Sequence, residues 1–273
     1  MVTSKMGLQA QFLQALLQQA AETAVTFLYP AQCRVCAVRL GLEAVPYMCD
    51  ACWQAIRFVE PPWCDICGTP SIRIGKGGTL FLPASGNRSD PHESACDECA
   101  SNPPRYGKLR TIAFYEAALQ DAIHLFKFQK RKALAKPLIQ LITAHMPADC
   151  NVAEYDFILP VPIHKKRLRE RGFNQATLLA NGIAKTIGVP VVTDVLVRHL
   201  NTSPQSSLDR EARQTNIIGA FELRGEEAIR GKRLLVIDDV FTTGATIREV
   251  VKVLWNADPA EIDVLTLART LNP

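Results

Sequence analysis

The run Leu234-Leu235-Val236-Ile237-Asp238-Asp239-Val240-Phe241-Thr242-Thr243-Gly244-Ala245-Thr246 constrains this chain more than any other segment. Four consecutive apolar residues, preceded by Gly231 and the Lys232-Arg233 pair, read as a strand buried on both faces of a parallel sheet. Two adjacent carboxylates stand where that strand is expected to end. A small, hydroxyl-rich turn then leads into Ile247–Leu254, whose apolar positions 247, 250, 251 and 254 share one helical face. In parallel α/β sheets ligands bind at the carboxyl ends of strands, where helix N-termini present free amides. Thr242, Thr243, Gly244, Ala245 and Thr246 therefore offer backbone N–H groups and three hydroxyls to a monophosphate. Asp238 and Asp239 offer acceptors to the vicinal hydroxyls of a sugar carrying it. The competing reading is a structural strand–turn–helix with an N-capping Thr and surface acids.

The run resembles the phosphoribosyl-pyrophosphate (PRPP) signature of type I phosphoribosyltransferases: an apolar run, paired acids, then Thr-Thr-Gly-x-Thr. It is not a Walker A loop, since no G-x-x-x-x-G-K-[ST] occurs in the chain.

A length of 273 residues suits one medium domain and a small one. With 48% hydrophobic and 21% charged residues the composition is that of a globular protein and excludes a disordered one. A net charge of +4 is too mild to argue for nucleic acid by itself. Residues 1–19 lack a signal-peptide pattern. Leu8, Phe12, Leu16 and Leu17 recur at helical spacing and predict an amphipathic helix that packs on the protein. No stretch is long and apolar enough to span a bilayer, so a cytoplasmic protein is expected.

Eight of the nine cysteines fall into four C-x-x-C pairs: Cys33/Cys36, Cys49/Cys52, Cys64/Cys67 and Cys96/Cys99. Each pair is a knuckle able to aim two thiolates at one metal, and two knuckles complete a tetrahedral site. Four in series predict two structural zinc ions, because four thiolates leave no open position for a catalytic water. Disulfides are the alternative, disfavoured without a secretory signal. Sequential pairing and an interleaved cross-brace both fit the spacing. His92 could replace a thiolate, although a surface loop histidine is the simpler reading. Cys150 is unpaired and read as inert. Gly68–Ala95, rich in Gly, Ser and Pro, reads as a loop.

The cysteine-rich character stops near Asn102-Pro103-Pro104, giving the expected organisation: helix 1–30, zinc module 31–104 and main domain 105–273. In the main domain, strands are expected at 109–115, 157–162, 189–192 and 220–223, and helices at 117–128, 133–146 and 176–186. Together with the 234–254 unit they predict a doubly wound parallel α/β sheet. The segment after Pro162 is read as a loop suited to pyrophosphate. Lys165, Arg167, Arg169 and Arg171 bring cationic donors, and Gly172 permits close backbone approach. A solvated basic loop or a nucleic-acid contact is the alternative.

The whole chain is similar to the ComF family. The matching pieces are Leu28-Tyr29-Pro30, the cysteine knuckles, Leu125-Phe126-Lys127-Phe128, Pro160-Val161-Pro162 and Arg171-Gly172-Phe173-Asn174-Gln175-Ala176. Further on come Gln205 with Leu208 and Arg213, Asn216 with Ala220-Phe221, and the 238–246 run. The resemblance implies a phosphoribosyltransferase-like domain linked to bacterial DNA uptake. Carried over, it implies ribose hydroxyls at Asp238 and Asp239, the 5-phosphate at Thr242–Thr246, and pyrophosphate with Mg2+ at the 165–175 segment. Asn201–Arg213 matches a loop that closes over PRPP in related enzymes. No side chain stands out as a general base, and neither the acceptor nor the oligomeric state is readable.

Two functions compete: phosphoribosyl transfer to an unidentified acceptor, and a non-catalytic single-stranded-DNA-binding or adaptor role beside competence proteins. Residues 105–136 carry eight Lys or Arg (105, 108, 110, 127, 130, 131, 132, 136) against two acids (116, 121). Lys127, Lys130, Arg131 and Lys132 are candidate DNA contacts, with Phe126 or Phe128 available for base stacking. A solvated helix end is the alternative.

Overall fold

A computed structural model describes residues 31–41, 45–70, 73–74, 80–81, 95–201 and 217–270. The expected N-terminal helix, His92 and the loop beyond Asn201 lie outside the described residues. The chain forms two compact units, Met1–Ala55 and Ile56–Pro273.

The first unit holds two cysteine knuckles. Ala37 donates its amide to the Cys33 carbonyl (2.9 Å) and Cys33 to Val38 (2.8 Å), closing a tight turn around the first pair. The second pair flanks the start of α1 (Asp50–Gln54), which Cys49 precedes as N-cap residue.

The second unit is built on a parallel four-stranded sheet. Its strands are β3 (Leu109–Phe114), β4 (Phe157–Pro160), β7 (Arg233–Phe241) and β8 (Glu261–Arg269), in the order β3-β8-β7-β4. Two antiparallel pairs stand apart: β1 (Arg73–Ile74) with β2 (Leu80–Phe81), and β5 (Leu196–Arg198) with β6 (Phe221–Leu223). The helices are α2 (Asp97–Ser101), α3 (Ala117–Phe128), α4 (Ala135–Ala144), α5 (Lys165–Arg171), α6 (Gln175–Ile187) and α7 (Ala245–Leu254). Helix α6 lies against β4 and β7 and packs on α4, while α7 packs against β6.

Leu234, Leu235, Val236 and Ile237 are all at most 1% exposed, as a strand covered on both faces requires. Alternation sends Leu234 and Val236 into the cluster formed with Val250, Val251 and Leu254 of α7. Each such side chain contributes about 1.5–3 kcal/mol through burial.

Three expectations are corrected, and one strand has no counterpart among them. Strand β7 does not stop at Ile237 but runs through Asp238 and Asp239 to Phe241, because β8 continues to pair with it as far as Arg269. The segment after Pro162 is no open loop: Lys165–Arg171 is helical, capped by the His164 ring nitrogen on the Lys166 amide (3.2 Å) and closed by Gly172 at φ +84°. Residues 189–192 make one parallel bridge, Ile158 to Val191, rather than a strand. Central β8 carried no sequence signal because Asp263, Thr266 and Arg269 interrupt its apolar run. All three are buried. Asp263 accepts from the Tyr155 hydroxyl (2.6 Å) and the Lys108 amide (2.7 Å), and Thr266 bonds Thr111 (2.7 Å), so their polar atoms are satisfied.

Candidate functional site

At the carboxyl ends of β4 and β7 lies a cavity of about 600 Å³. One wall is Asp238, Asp239, Val240, Thr242 and Thr246. Asp238 accepts the Asp239 amide through Oδ1 (2.8 Å), and Asp239, 7% exposed, is paired with Lys127 Nζ at 2.8 Å. Burial, and then the neighbouring Asp239 charge, push the Asp238 carboxyl up to about 7, since two close carboxylates resist being ionised together.

The turn that follows is held by Gly244, at φ +75°, where a Cβ would meet the Phe241 ring at 2.9 Å. Only glycine fits there. Gly244 is the N-cap of α7, and the Thr243 hydroxyl accepts the Ala245 amide at 3.4 Å. The amides of the first turn of α7 thus meet the cavity edge at Thr246, a position suited to an anion.

The facing wall is cationic. Arg167 and Arg171 lie four residues apart on α5, hence on one helical face, and both line the cavity. Arg198, the last residue of β5 and 6% exposed, joins them. Burial lowers all three guanidiniums, and the charge of Arg167 lowers Arg171 and Arg198 further, Arg198 to about 10. Three mutually repelling cations in one recess favour a multiply charged anion. Lys165, Arg169 and Gly172 are exposed and do not line the cavity. Thr243, Gly244 and Ala245 likewise do not line the cavity, although they form the turn between Thr242 and Thr246, which do.

Lys127, Phe128 and Lys130 also line the cavity, which places two of the candidate DNA contacts at this site. Arg131 and Lys132 are exposed outside it, with Lys132 Nζ 5.4 Å from the Phe173 ring centre. Phe126 is fully buried and stacks near Phe173 (5.2 Å), so it cannot receive a base. Phe128 is 52% exposed beneath the Arg171 guanidinium.

Sequence reasoning missed Arg198 as a site residue and reached Gln175 only as the last residue of the 165–175 segment that the resemblance assigns to pyrophosphate. Gln175 opens α6 beside Asn174, which fixes the turn by donating to the Val161 carbonyl (3.0 Å) and accepting the Ala176 amide (3.1 Å). Gln175 is 1% exposed, lines the cavity, and its Nε2 has no hydrogen-bond partner among the described residues. A buried orphan donor at a cavity wall is a binding group for an acceptor atom.

The cysteines form two clusters, Cys33/Cys36/Cys49/Cys52 and Cys64/Cys67/Cys96/Cys99, each with its sulfurs within 4.8 Å of one another. Pairing is therefore sequential, and the cross-brace is excluded. No disulfide forms. Cys36 to Cys49 and Cys67 to Cys96 are each 3.6 Å apart, close to the ~3.8 Å edge of a tetrahedron with bonds of about 2.3 Å. The donor sets thus fit structural zinc. Cys150 is buried, its thiol pushed up to about 12 by burial, and belongs to neither cluster. No helix among the described residues is long and apolar enough to cross a membrane.

Comparison with known proteins agrees with this geometry. Residues 174–272 match the phosphoribosyl transferase domain, and residues 24–100 the double zinc ribbon domain. The chain is 28% identical over 230 residues to the DNA utilization protein YhgH of Escherichia coli, covering 83% of this chain and 99% of that one. It is 27% identical over 227 residues to competence protein F of Haemophilus influenzae (81% and 90%). To competence protein ComFC of Bacillus subtilis it is 23% identical over 228 residues (81% and 90%). A double zinc ribbon joined to a type I phosphoribosyltransferase domain, with these homologues along most of its length, bears out the resemblance to the ComF family.

Proposed function

We propose that this protein binds PRPP with Mg2+ in the β4–β7 cavity and transfers the phosphoribosyl group to an acceptor, releasing pyrophosphate. The carrying observation is that one recess joins a paired-carboxylate wall to a three-arginine wall. In this reading Asp238 and Asp239 accept hydrogen bonds from the ribose hydroxyls. The 242–246 turn and the amides of α7 hold the 5-phosphate, and Arg167, Arg171 and Arg198 hold the pyrophosphate. Among the described residues the two cysteine clusters are the only groups of three or more metal-ligating side chains, so Mg2+ would be held largely by the ligand's phosphates with carboxylate help. The ion would neutralise part of the pyrophosphate charge.

Transfer then requires little acid–base chemistry from the protein. The acceptor's electron pair bonds to the anomeric carbon as the carbon–oxygen bond to pyrophosphate breaks, and the leaving group takes that bonding pair and the acceptor's proton. The arginines stabilise the departing charge, and positioning supplies the rest. Titration calorimetry with PRPP and Mg2+, read beside pyrophosphate release, tests this. Micromolar binding, about −8 kcal/mol, is expected in the wild type and a loss of at least about 100-fold in Asp238→Asn/Asp239→Asn. Retained affinity in a folded double variant would contradict the site.

A second reading extends the relatives' names, which tie those proteins to DNA utilization and competence, to this chain. Lys130, Arg131, Lys132 and Lys136 are exposed in one short stretch, next to half-exposed Phe128. They suit a single strand whose backbone meets the lysines while a base stacks at the cavity mouth. Binding of single-stranded DNA that weakens steeply with salt and is lost in Lys130→Ala/Arg131→Ala/Lys132→Ala supports this reading; salt-insensitive or unaltered binding contradicts it.

A further inference from the structure

The second cysteine cluster is fastened to the turn assigned above to the 5-phosphate, and Arg269 is the fastening. Arg269 ends β8 and is 3% exposed. Its Nη1 donates to the Cys67 carbonyl (3.1 Å) and its Nη2 to the Thr69 hydroxyl (2.6 Å). That hydroxyl also contacts Cys67 Sγ at 3.0 Å. On its other side the guanidinium lies 5.4 Å from the centre of the Phe241 ring. Phe241 is the ring on which Gly244 rests, too close for any Cβ. A continuous packed series therefore runs from a cluster thiolate through Arg269 and Phe241 to the turn.

Independent contacts repeat the connection. Arg248, near the start of α7, reaches Glu98 Oε1 (3.2 Å), within the helix bearing Cys99, and the Asn102 carbonyl (3.4 Å) at that helix's C-terminal end. Trp255, just past α7, donates to the Arg105 carbonyl (2.7 Å). Gly68, inside the cluster, lies so near β3 that a Cβ would sit 2.7 Å from the Leu109 carbonyl oxygen.

Charge supplies the reason for coupling. Four thiolates around one Zn2+ carry a net charge of −2, and a buried cation needs an opposite charge or strong acceptors nearby. With zinc bound, Arg269 is held between that charge and the Phe241 ring. If the ion leaves, the loop presenting the Cys67 carbonyl and the Thr69 hydroxyl loses its clamp, and Arg269 and Phe241 lose that support.

We propose that Arg269 is a positioning residue that couples zinc occupancy of the Cys64/Cys67/Cys96/Cys99 site to phosphate binding at the 242–246 turn. The inference rests on the PRPP reading above. Coupling between two ligands is reciprocal, so PRPP must slow zinc loss by the factor by which zinc favours PRPP.

The test follows zinc transfer from the full-length protein to a chromophoric chelator, with and without PRPP and Mg2+, while calorimetry reports PRPP binding separately. A Cys33→Ser/Cys36→Ser variant identifies the phase belonging to the second site. We expect PRPP to slow that phase by about 5-fold or more, the usual scale of such couplings. Arg269→Lys keeps the charge but cannot span both acceptors, and is expected to bind PRPP while losing the protection. Thr69→Val, a milder change should Arg269→Lys not fold, is expected to reduce it. PRPP binding with unchanged zinc release, or full protection in both variants, overturns the coupling alone. Absence of PRPP binding overturns the functional reading and this inference with it.

Discussion

The two walls of the cavity are built in opposite ways. The acidic wall is one contiguous stretch, Asp238 to Thr246, in which the end of β7, a glycine turn and the start of α7 follow within nine residues. The cationic wall is assembled from Lys127 and Lys130 near the end of α3, Arg167 and Arg171 on α5, and Arg198 at the end of β5. The acidic wall lies within the matched transferase domain, whereas α3 and α5 precede its first matched residue, 174. In the proposed reading a sugar phosphate is met by a local motif, and the anion beyond it by a surface that only the fold brings together. The first wall is accordingly fixed in shape by backbone, and the second by the faces of packed elements.

Changes on the two walls should separate the parts of the ligand. The largest effect is expected for Arg167→Ala/Arg171→Ala. Two charge-assisted hydrogen bonds at about 1.5–3 kcal/mol each predict PRPP binding at least about 100-fold weaker, with ribose-5-phosphate changed by no more than about 3-fold. Equal losses for both ligands would dissolve the division between the walls. Gly244→Ala acts on the other wall. A Cβ at φ +75° pressed on Phe241 should cost about 1–3 kcal/mol and weaken PRPP and ribose-5-phosphate alike, by about 10-fold.

The acid pair also predicts a conflict between stability and binding. Because the Asp238 carboxyl is raised to about 7, the folded state keeps a proton that the unfolded chain releases near pH 4. Wild-type stability should therefore fall as pH rises from about 4 to 7 and level off above. Asp238→Asn removes this loss. Its advantage should be near zero at pH 4 and reach about 2–4 °C in Tm at pH 8, the effect of about 1 kcal/mol in a body of 150–250 residues. A variant less stable than wild type at pH 8 would mean that the Lys127–Asp239 pair, and not carboxylate repulsion, governs this wall. The smallest effect is expected for Lys165→Ala/Arg169→Ala, less than about 2-fold on PRPP binding, since both side chains are exposed away from the cavity.

What could be read from the sequence follows the same division. The apolar run, the acids and the Thr-Thr-Gly-Ala-Thr turn announced strand, cavity wall and helix together, because their geometry is local. The cysteine spacing announced two four-cysteine clusters but left their pairing open until Cys67 and Cys96 were seen 29 residues apart with sulfurs at 3.6 Å. Reading 165–171 as a loop treated Lys165, Arg167, Arg169 and Arg171 as equivalent, whereas helical geometry selects Arg167 and Arg171 and turns Lys165 and Arg169 outward. Arg198 gave no signal, since a lone buried guanidinium acquires meaning only from the cavity it meets, and Gln175 was marked only through the resemblance carried by the Arg171–Ala176 run. Strand β8 was hidden for a related reason: its polar residues are satisfied by partners in Lys108, Thr111, Tyr155, Cys67 and Thr69, far off in sequence.

The most direct measurement is calorimetric titration of the wild-type chain with PRPP and, in parallel, ribose-5-phosphate, each with Mg2+. If one wall holds the sugar phosphate and the other the pyrophosphate, PRPP should bind in the micromolar range and at least about 100-fold more tightly than ribose-5-phosphate, a difference of about 2.7 kcal/mol or more. Equal affinity for the two ligands, or no binding of PRPP, would contradict the account.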